Sequence, residues 1–396
     1  MSTGVAVTGM GIISAIGNNV AENFYGLQNG AHGLDFPKFV DTRFADQLKV
    51  GEVKLSNQEL ENSLNLPQNH TFSRTAMLGV FAAKQAITQA QLNNKLQNVG
   101  FISSTSVGGM DLTEKYFLDY NSDPEIQKYI SSHNAGQTSI QIAEYFGLNG
   151  LVSTISTACS SAANAIMMGT RLIKSGKLDR VIVGGTDALS KFTINGFKTL
   201  MILTDGYNTP FDADRKGLNL GEAAAYLVLE REDLAKAEGK QILAYVAGYG
   251  NANDAYHQTA SSETGEGAYL AMQKALKVAN LTPDQIDYVN VHGTATPNND
   301  LSEGRALERI FKDKLAVFSS TKPFTGHTLA AAAAIEAVFS IVAIQEQCVY
   351  PNLNFKNPMP EVNCIPQTQF KTAKIQTVLS NSFGFGGNCS TLIFTK

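Results

Sequence analysis

The stretch VSTISTACSSAANAIMMGTRLI, residues 152–173, changes its period half-way. Val152 to Ser156 has the β-branched and hydroxyl composition of a strand. From Ser160 to Ile173, small and apolar residues recur at helical spacing. Cys159 falls at the junction. A strand feeding a helix is the repeating unit of an α/β protein, and the same alternation runs outward in both directions. Val5-Ala6-Val7-Thr8 predicts a strand that ends in a glycine turn at Gly9-Met10-Gly11. Thr71 to Ala90 predicts a helix, and Gly100-Phe101-Ile102-Ser103 a short strand before Gly108-Gly109. Arg180-Val181-Ile182-Val183 predicts a buried strand stopped by Gly184-Gly185. Asp111 to Asn134 is polar and irregular and is read as an insertion over the core.

Composition narrows the class. In 396 residues, 43% are hydrophobic and there are 34 Gly and 11 Pro, an ordinary globular balance that does not describe a disordered chain. A net charge of −4 offers no basic field for nucleic acid. Four cysteines without a CxxC pair argue against a disulfide scaffold and a cysteine-based zinc site, and no metal is expected. The opening Met1-Ser2-Thr3-Gly4 lacks a basic segment, so no signal peptide is expected. The apolar run Leu329 to Ile344 is interrupted by Glu336 and Ser340 and reads as too short for a bilayer. The expectation is a soluble cytoplasmic protein without membrane contact.

A weak duplication is visible. Strand 180–183, Gly221 and Tyr226-Leu227-Val228-Leu229 are echoed by Val378-Leu379-Ser380, glycines 384–387 and Thr391-Leu392-Ile393-Phe394. The charged segment Glu230 to Lys240 is the natural seam. This divides the chain into 1–238, carrying Cys159, and 239–396, carrying two notable histidines.

A thiol at a helix N-terminus faces the positive end of the dipole, which favours thiolate. Its own N–H is a candidate oxyanion donor. A small buried apolar residue is the plainer reading of any free cysteine. His292, after the strand Tyr288-Val289-Asn290-Val291, and His327, in Thr325-Gly326-His327, both end a strand-plus-turn, where α/β proteins place reactive groups. Each alone could be structural; neutral imidazole could also donate to an enolate. A buried Lys322 would need a partner, and Glu336 inside the apolar helix is the natural one. The loop Asn381-Ser382-Phe383-Gly384-Phe385-Gly386-Gly387-Asn388 can present N–H groups or move as a gate. It lacks the lysine and spacing of a phosphate loop.

Together, Thr157-Ala158-Cys159-Ser160-Ser161, His292-Gly293-Thr294-Ala295-Thr296 through Asp300, Thr321-Lys322 with Gly326-His327, and 381–387 resemble the β-ketoacyl–acyl carrier protein synthases of the thiolase superfamily. Pro210-Phe211-Asp212 with Arg215, and Asp254-Ala255-Tyr256-His257, extend the resemblance over nearly the whole chain. It implies a five-layered αβαβα fold of two similar halves. It also implies a homodimer, the alternative being a heterodimer with a chain-length partner. Acyl carrier protein would be the partner and would bring the phosphopantetheine; no further cofactor is implied. Cys159 would accept the acyl chain, with the N–H groups of Cys159 and Phe385 as oxyanion hole and Phe385 as gate. His292 and His327 would support decarboxylation, Lys322 and Glu336 would hold them, and Thr294 and Thr296 would bind the pantetheine arm. The pathway implied is fatty acid synthesis, with a specialised polyketide or aryl polyene pathway as alternative. A degradative thiolase would use a late cysteine as base. Cys389 follows a glycine loop, but the two-histidine pattern favours the synthase. Against the family pattern, Leu189, Phe192 and Ile194 are larger than usual pocket-wall residues. His133, Asn134 and Gln137 are polar where a wall should be apolar. If these line the acyl tunnel, short or functionalised primers are expected.

Overall fold

Along Ala223–Arg231 both faces of the strand are buried, and the two faces enter different layers. Ala223, Ala225, Leu227 and Leu229 join one apolar cluster, while Ala224, Tyr226 and Val228 join another. A strand that is apolar on both sides requires helices on both sides. The computed structural model describes residues 4–92 and 96–396, so most of the opening segment Met1–Gly4 lies outside the described residues.

Ten strands form the sheet: β1 (Val5–Ile13), β2 (Gly100–Ser104), β3 (Val152–Ile155), β4 (Arg180–Asp187) and β5 (Ala223–Arg231) in one half, then β6 (Ala244–Asn253), β7 (Tyr288–Asn290), β8 (Val317–Ser319), β9 (Thr377–Gly384) and β10 (Asn388–Thr395) in the other. Their spatial order is β3-β2-β4-β5-β1-β6-β10-β9-β7-β8. Read inward from either end, the order is equivalent: β1 answers β6, β5 answers β10 and β4 answers β9. The halves are joined by β1 and β6, which pair at Ala6↔Tyr245 and Val7↔Ala244.

Six helices complete the layers. On the outer face of the first half lie α1 (Arg74–Gln89) and α2 (Ala135–Tyr145). Between the halves lies α3 (Ser161–Lys174), and outside the second half lie α4 (Glu266–Ala279) and α5 (Pro297–Phe311). Beside α3, at the centre, is α6 (Ala332–Glu346), buried along nearly its whole length. The result is αβαβα. With its leading turn, the run Leu329–Glu346 reaches 18 residues and is long and apolar enough to cross a membrane by length and composition. The sequence reading of this run as too short is therefore corrected. Its apolar surface is used inside the protein, against both halves of the sheet.

Two other expectations are corrected. Gly9 and Gly11 do not end β1, which continues to Ile13 across a bulge between Val7 and Gly9. A Cβ on Gly9 would stand 2.2 Å from the Ala86 carbonyl oxygen, and one on Gly11 2.1 Å from that of Ala82. These glycines let α1 lie directly on the strand. Likewise Gly184 and Gly185 do not stop β4, where they pair with Tyr226 and Ala225. The insertion 111–134 resolves into short helical turns, including Met110–Tyr116 and Gln127–Ile130.

Candidate active site

Cys159 lies on the tight turn between β3 and α3, one residue before the helix cap Ser160. Ala158 takes a left-handed φ of +52°, unusual for a residue with a Cβ. Local hydrogen bonds hold that turn: the Thr157 N–H donates to Ser161 Oγ at 2.8 Å, and Ser160 Oγ donates to the Thr157 carbonyl at 2.8 Å. The Cys159 side chain is buried. Burial pushes its thiol up to about 12, against the lowering effects of Lys322 and of the N–H groups of Phe385 and Cys159. The thiolate expected from the helix dipole is therefore corrected to a resting thiol. The dipole acts at the rim of the first turn, and enclosure outweighs it.

Across the site, the second half supplies two imidazoles. His292 follows β7, and the N–H groups of His292 and Gly293 each donate to the Glu303 carboxylate on α5 at 2.9 Å. His327 follows the helical turn Lys322–Thr325. Its N–H donates to the Asn219 carbonyl at 2.8 Å, and its carbonyl accepts from the Gly221 N–H at 3.0 Å. The ring centroids are 5.4 Å apart and nearly perpendicular, at 87°. Burial, then the Lys322 charge, holds both histidines well below 6.5, so both are neutral near pH 7. Lys322 Nζ is 3.4 Å from His292 Nδ1 and 2.5 Å from Glu336 Oε1. This lysine and glutamate form a buried pair behind the first imidazole. Among the described residues, His327 Nδ1 has no hydrogen-bond partner.

The glycine-rich segment is the turn of the β9–β10 hairpin, with Gly384 opposite Asn388. It lies against the cysteine turn: a Cβ on Gly384 would be 2.9 Å from the Thr157 carbonyl oxygen and 3.1 Å from the Cys159 nitrogen. Gly386 and Gly387 have φ of +79° and +77°, which side chains disfavour. The Phe385 ring stacks on Phe197 with centroids 5.8 Å apart.

Cys159, His292, His327, Thr294, Thr296 and Phe385 line one cavity of about 270 Å³. The Thr294 and Thr296 hydroxyls are 2.9 Å apart. The chemistry such a cavity permits is capture of an acyl group on sulfur, with N–H donors at the sulfur and neutral imidazoles nearby. Sequence reasoning missed its apolar walls, Phe197, Ile202 and Leu218, which come from segments with no motif. It also missed Glu303, whose i, i+3 spacing from Asp300 on α5 was the available signal. Burial pushes Glu303 up to about 7 against three N–H donors.

Leu189, Phe192, Ile194, His133, Asn134 and Gln137 do not line this cavity. Leu189 and Ile194 pack with Leu48, Val50 and Leu220 in a cluster that backs the cavity walls Phe197, Ile202 and Leu218. Phe192, His133 and Asn134 are exposed, and Gln137 is half-buried. The reading of these six as lining residues is thus corrected, with Leu189 and Ile194 lying behind the lining and not in it.

Residues 2–235 match the model of the β-ketoacyl synthase N-terminal domain, and residues 243–356 that of the C-terminal domain. The chain belongs to the β-ketoacyl synthase family. It is 34% identical to 3-oxoacyl-[acyl-carrier-protein] synthase 2 of Staphylococcus aureus (strain COL), over 99% of this chain and 98% of that protein. Among solved structures, the ishigamide ketosynthase/chain length factor is similar with a TM-score of 0.92 and 30% identity, covering 100% of both chains. A type II PKS acyl-carrier protein in complex with its ketosynthase bound to the hexaketide is similar with a TM-score of 0.89 and 27% identity, over 100% and 99% of the chains. The fold of this synthase is accordingly thiolase-like.

Proposed function

We propose that this synthase condenses an acyl group held on Cys159 with malonyl carrier protein, in fatty acid biosynthesis. The observation that carries the reading is the meeting of a buried thiol, two neutral imidazoles and the Phe385 N–H around one cavity. In the first step, Cys159 Sγ attacks the acyl thioester; the new C–S bond forms as the pantetheine sulfur departs with the proton. The Cys159 and Phe385 N–H groups hold the oxyanion. Malonyl thioester then enters, and its C–C bond to carboxylate breaks. Carbon dioxide leaves, and the electron pair forms an enolate that accepts hydrogen bonds from His292 and His327. The enolate carbon attacks the acyl–Cys159 carbonyl, and the Cys159 sulfur leaves and takes up a proton. Covalent capture divides one hard condensation into two steps. Lys322 and Glu336 fix His292, while Thr294 and Thr296 bond the pantetheine arm. The only prosthetic arm in this scheme is the carrier's phosphopantetheine, and the reaction is assigned to the cytoplasm.

A second reading is a ketosynthase of a specialised polyketide or aryl polyene pathway. It is favoured by the likeness to a ketosynthase/chain length factor at a TM-score of 0.92. The first reading uses a homodimer, the second a heterodimer. Incubation with acyl and malonyl carrier proteins should release carbon dioxide and a ketoester two carbons longer than the primer; absence of ketoester refutes both. Native mass spectrometry of the purified chain, alone and with a candidate partner, separates the two.

A further inference from the structure

A cluster of amides and hydroxyls under the cysteine turn has no part in the steps above. At its centre is Asn388, the first residue of β10. Its Oδ1 lies 2.7 Å from Ser160 Oγ, sharing that hydroxyl's single proton with the Thr157 carbonyl, and accepts from Asn164 Nδ2 at 3.0 Å and Asn251 Nδ2 at 3.0 Å, with Ser390 Oγ at 3.4 Å. Ser160 is the neighbour of Cys159 and is fully buried. Asn164, in the first turn of α3, also donates to Thr157 Oγ1 at 2.8 Å. Asn251 belongs to β6 and stands 3.1 Å from Asn164 Oδ1. One oxygen therefore gathers the cysteine turn, the helix behind it and two strands of the opposite half.

An amide oxygen has two lone pairs, so the four groups within reach of this one more than saturate it. Removing that acceptor would leave the buried Ser160 hydroxyl to the Thr157 carbonyl alone and would take one acceptor each from the half-buried Asn164 and Asn251 amides, and coupled networks lose more than single bonds suggest. The position in the chain adds to this. Asn388 directly follows Gly386 and Gly387, the two residues with positive φ. The turn is also tied to the end of β6: Asn253 Nδ2 donates to the Gly386 carbonyl at 2.9 Å and the Asp254 N–H to the Gly387 carbonyl at 2.8 Å.

We propose that Asn388 is a positioning residue for acyl transfer: its amide oxygen holds the Cys159 turn through Ser160 and Asn164 and ties it to β6 through Asn251. The inference rests on Cys159 as the acyl acceptor. All of these contacts reach the oxygen, so Asn388→Asp keeps every acceptor but adds negative charge near the thiol, which disfavours thiolate. Asn388→Ala removes the acceptor.

Three readouts on the full chain decide the matter: acyl loading from acyl carrier protein by mass spectrometry, carbon dioxide release from malonyl carrier protein, and the pH profile of Cys159 alkylation by iodoacetamide. Asn388→Ala should slow loading about tenfold, the scale of a lost hydrogen bond, with decarboxylation within about threefold of wild type. Asn388→Asp should restore loading at alkaline pH and move the alkylation profile upward. The proposal is overturned by wild-type loading in the alanine variant. It is also overturned by equal loss of loading and decarboxylation, or by an aspartate variant as slow as alanine at every pH. A wild-type protein that is alkylated at Cys159 but takes up no acyl group would overturn the condensing reading as well, which separates the two failures.

Discussion

Substituting Glu336 by Gln tests the buried pair behind His292. The Lys322 and Glu336 side chains are 2% and 1% exposed, and their contact is 2.5 Å. Glutamine keeps the shape and one acceptor but removes the charge that compensates Lys322. Breaking a buried pair from one side costs about 3–5 kcal/mol, because the remaining charge is left uncompensated. For 396 residues at about 2.1 cal/mol/K each, the unfolding entropy is about 0.8 kcal/mol/K. The expected fall in Tm is therefore about 4–6 °C. The functional effect should be selective. Lys322 Nζ already lies 3.4 Å from His292 Nδ1, and without its carboxylate partner it will draw closer to that ring. Condensation should drop while acyl loading on Cys159 persists. The double variant Lys322→Met/Glu336→Met fills similar space without charge, and such replacements are often neutral or stabilising. It should recover the lost Tm without recovering condensation. Calorimetry on wild type, single and double variants checks the argument, with product formation measured in parallel. A Glu336→Gln protein melting within 1 °C of wild type, or a double variant no more stable than the single, would refute the buried-pair reasoning.

Cys159→Ala should abolish acyl loading yet keep decarboxylation of malonyl thioester, since both histidines remain; mass spectrometry and carbon dioxide release read the two halves separately. His292→Ala or His327→Ala should still load acyl groups but lose roughly a hundredfold or more in condensation, the scale of a missing oxyanion donor. Single-turnover assays starting from pre-acylated enzyme would expose an error here. Stability should also depend on pH through these histidines. Their folded pKa values lie well below 6.5, so below that pH the unfolded chain binds more protons. Stability is then lost as pH falls, by up to about 1.4 kcal/mol per pH unit for each histidine. The His292→Phe/His327→Phe variant should show a flatter Tm profile between pH 6.5 and 5; an unchanged slope would contradict neutral burial.

Much of the arrangement was legible because each motif had a local physical cause. The shift from strand to helical period on either side of Cys159 located the turn between β3 and α3, and the helix began within one residue of the reading. The pairing of Lys322 with Glu336 followed from the cost of burying either alone. What escaped the sequence depended on enclosure. Glycines at 9, 11, 184 and 185 read as breaks, yet they permit close packing within continuous strands. The protonation of Cys159 was misjudged because a helix terminus is visible in sequence and a sealed cavity is not. Leu189 and Ile194 were read as tunnel walls from position in a pattern. Their packing against Leu48, Val50 and Leu220 needs contacts more than a hundred residues apart in the case of Leu48 and Val50.

The pairing of β1 with β6 bears on how such a chain comes to life. Cys159 belongs to the half synthesised first, and His292, His327 and Phe385 belong to the half that follows. A nascent chain that has folded only its first half owns a thiol without the Phe385 N–H and without the two imidazoles of the site. It also leaves α3 without α6, its central neighbour. The full set of groups around the cavity is therefore assembled only when the late half docks, with the strands joined at Ala6 and Val7. An incomplete molecule exposes both an apolar face and an unenclosed thiol, and lacks the second-half groups that the condensation uses.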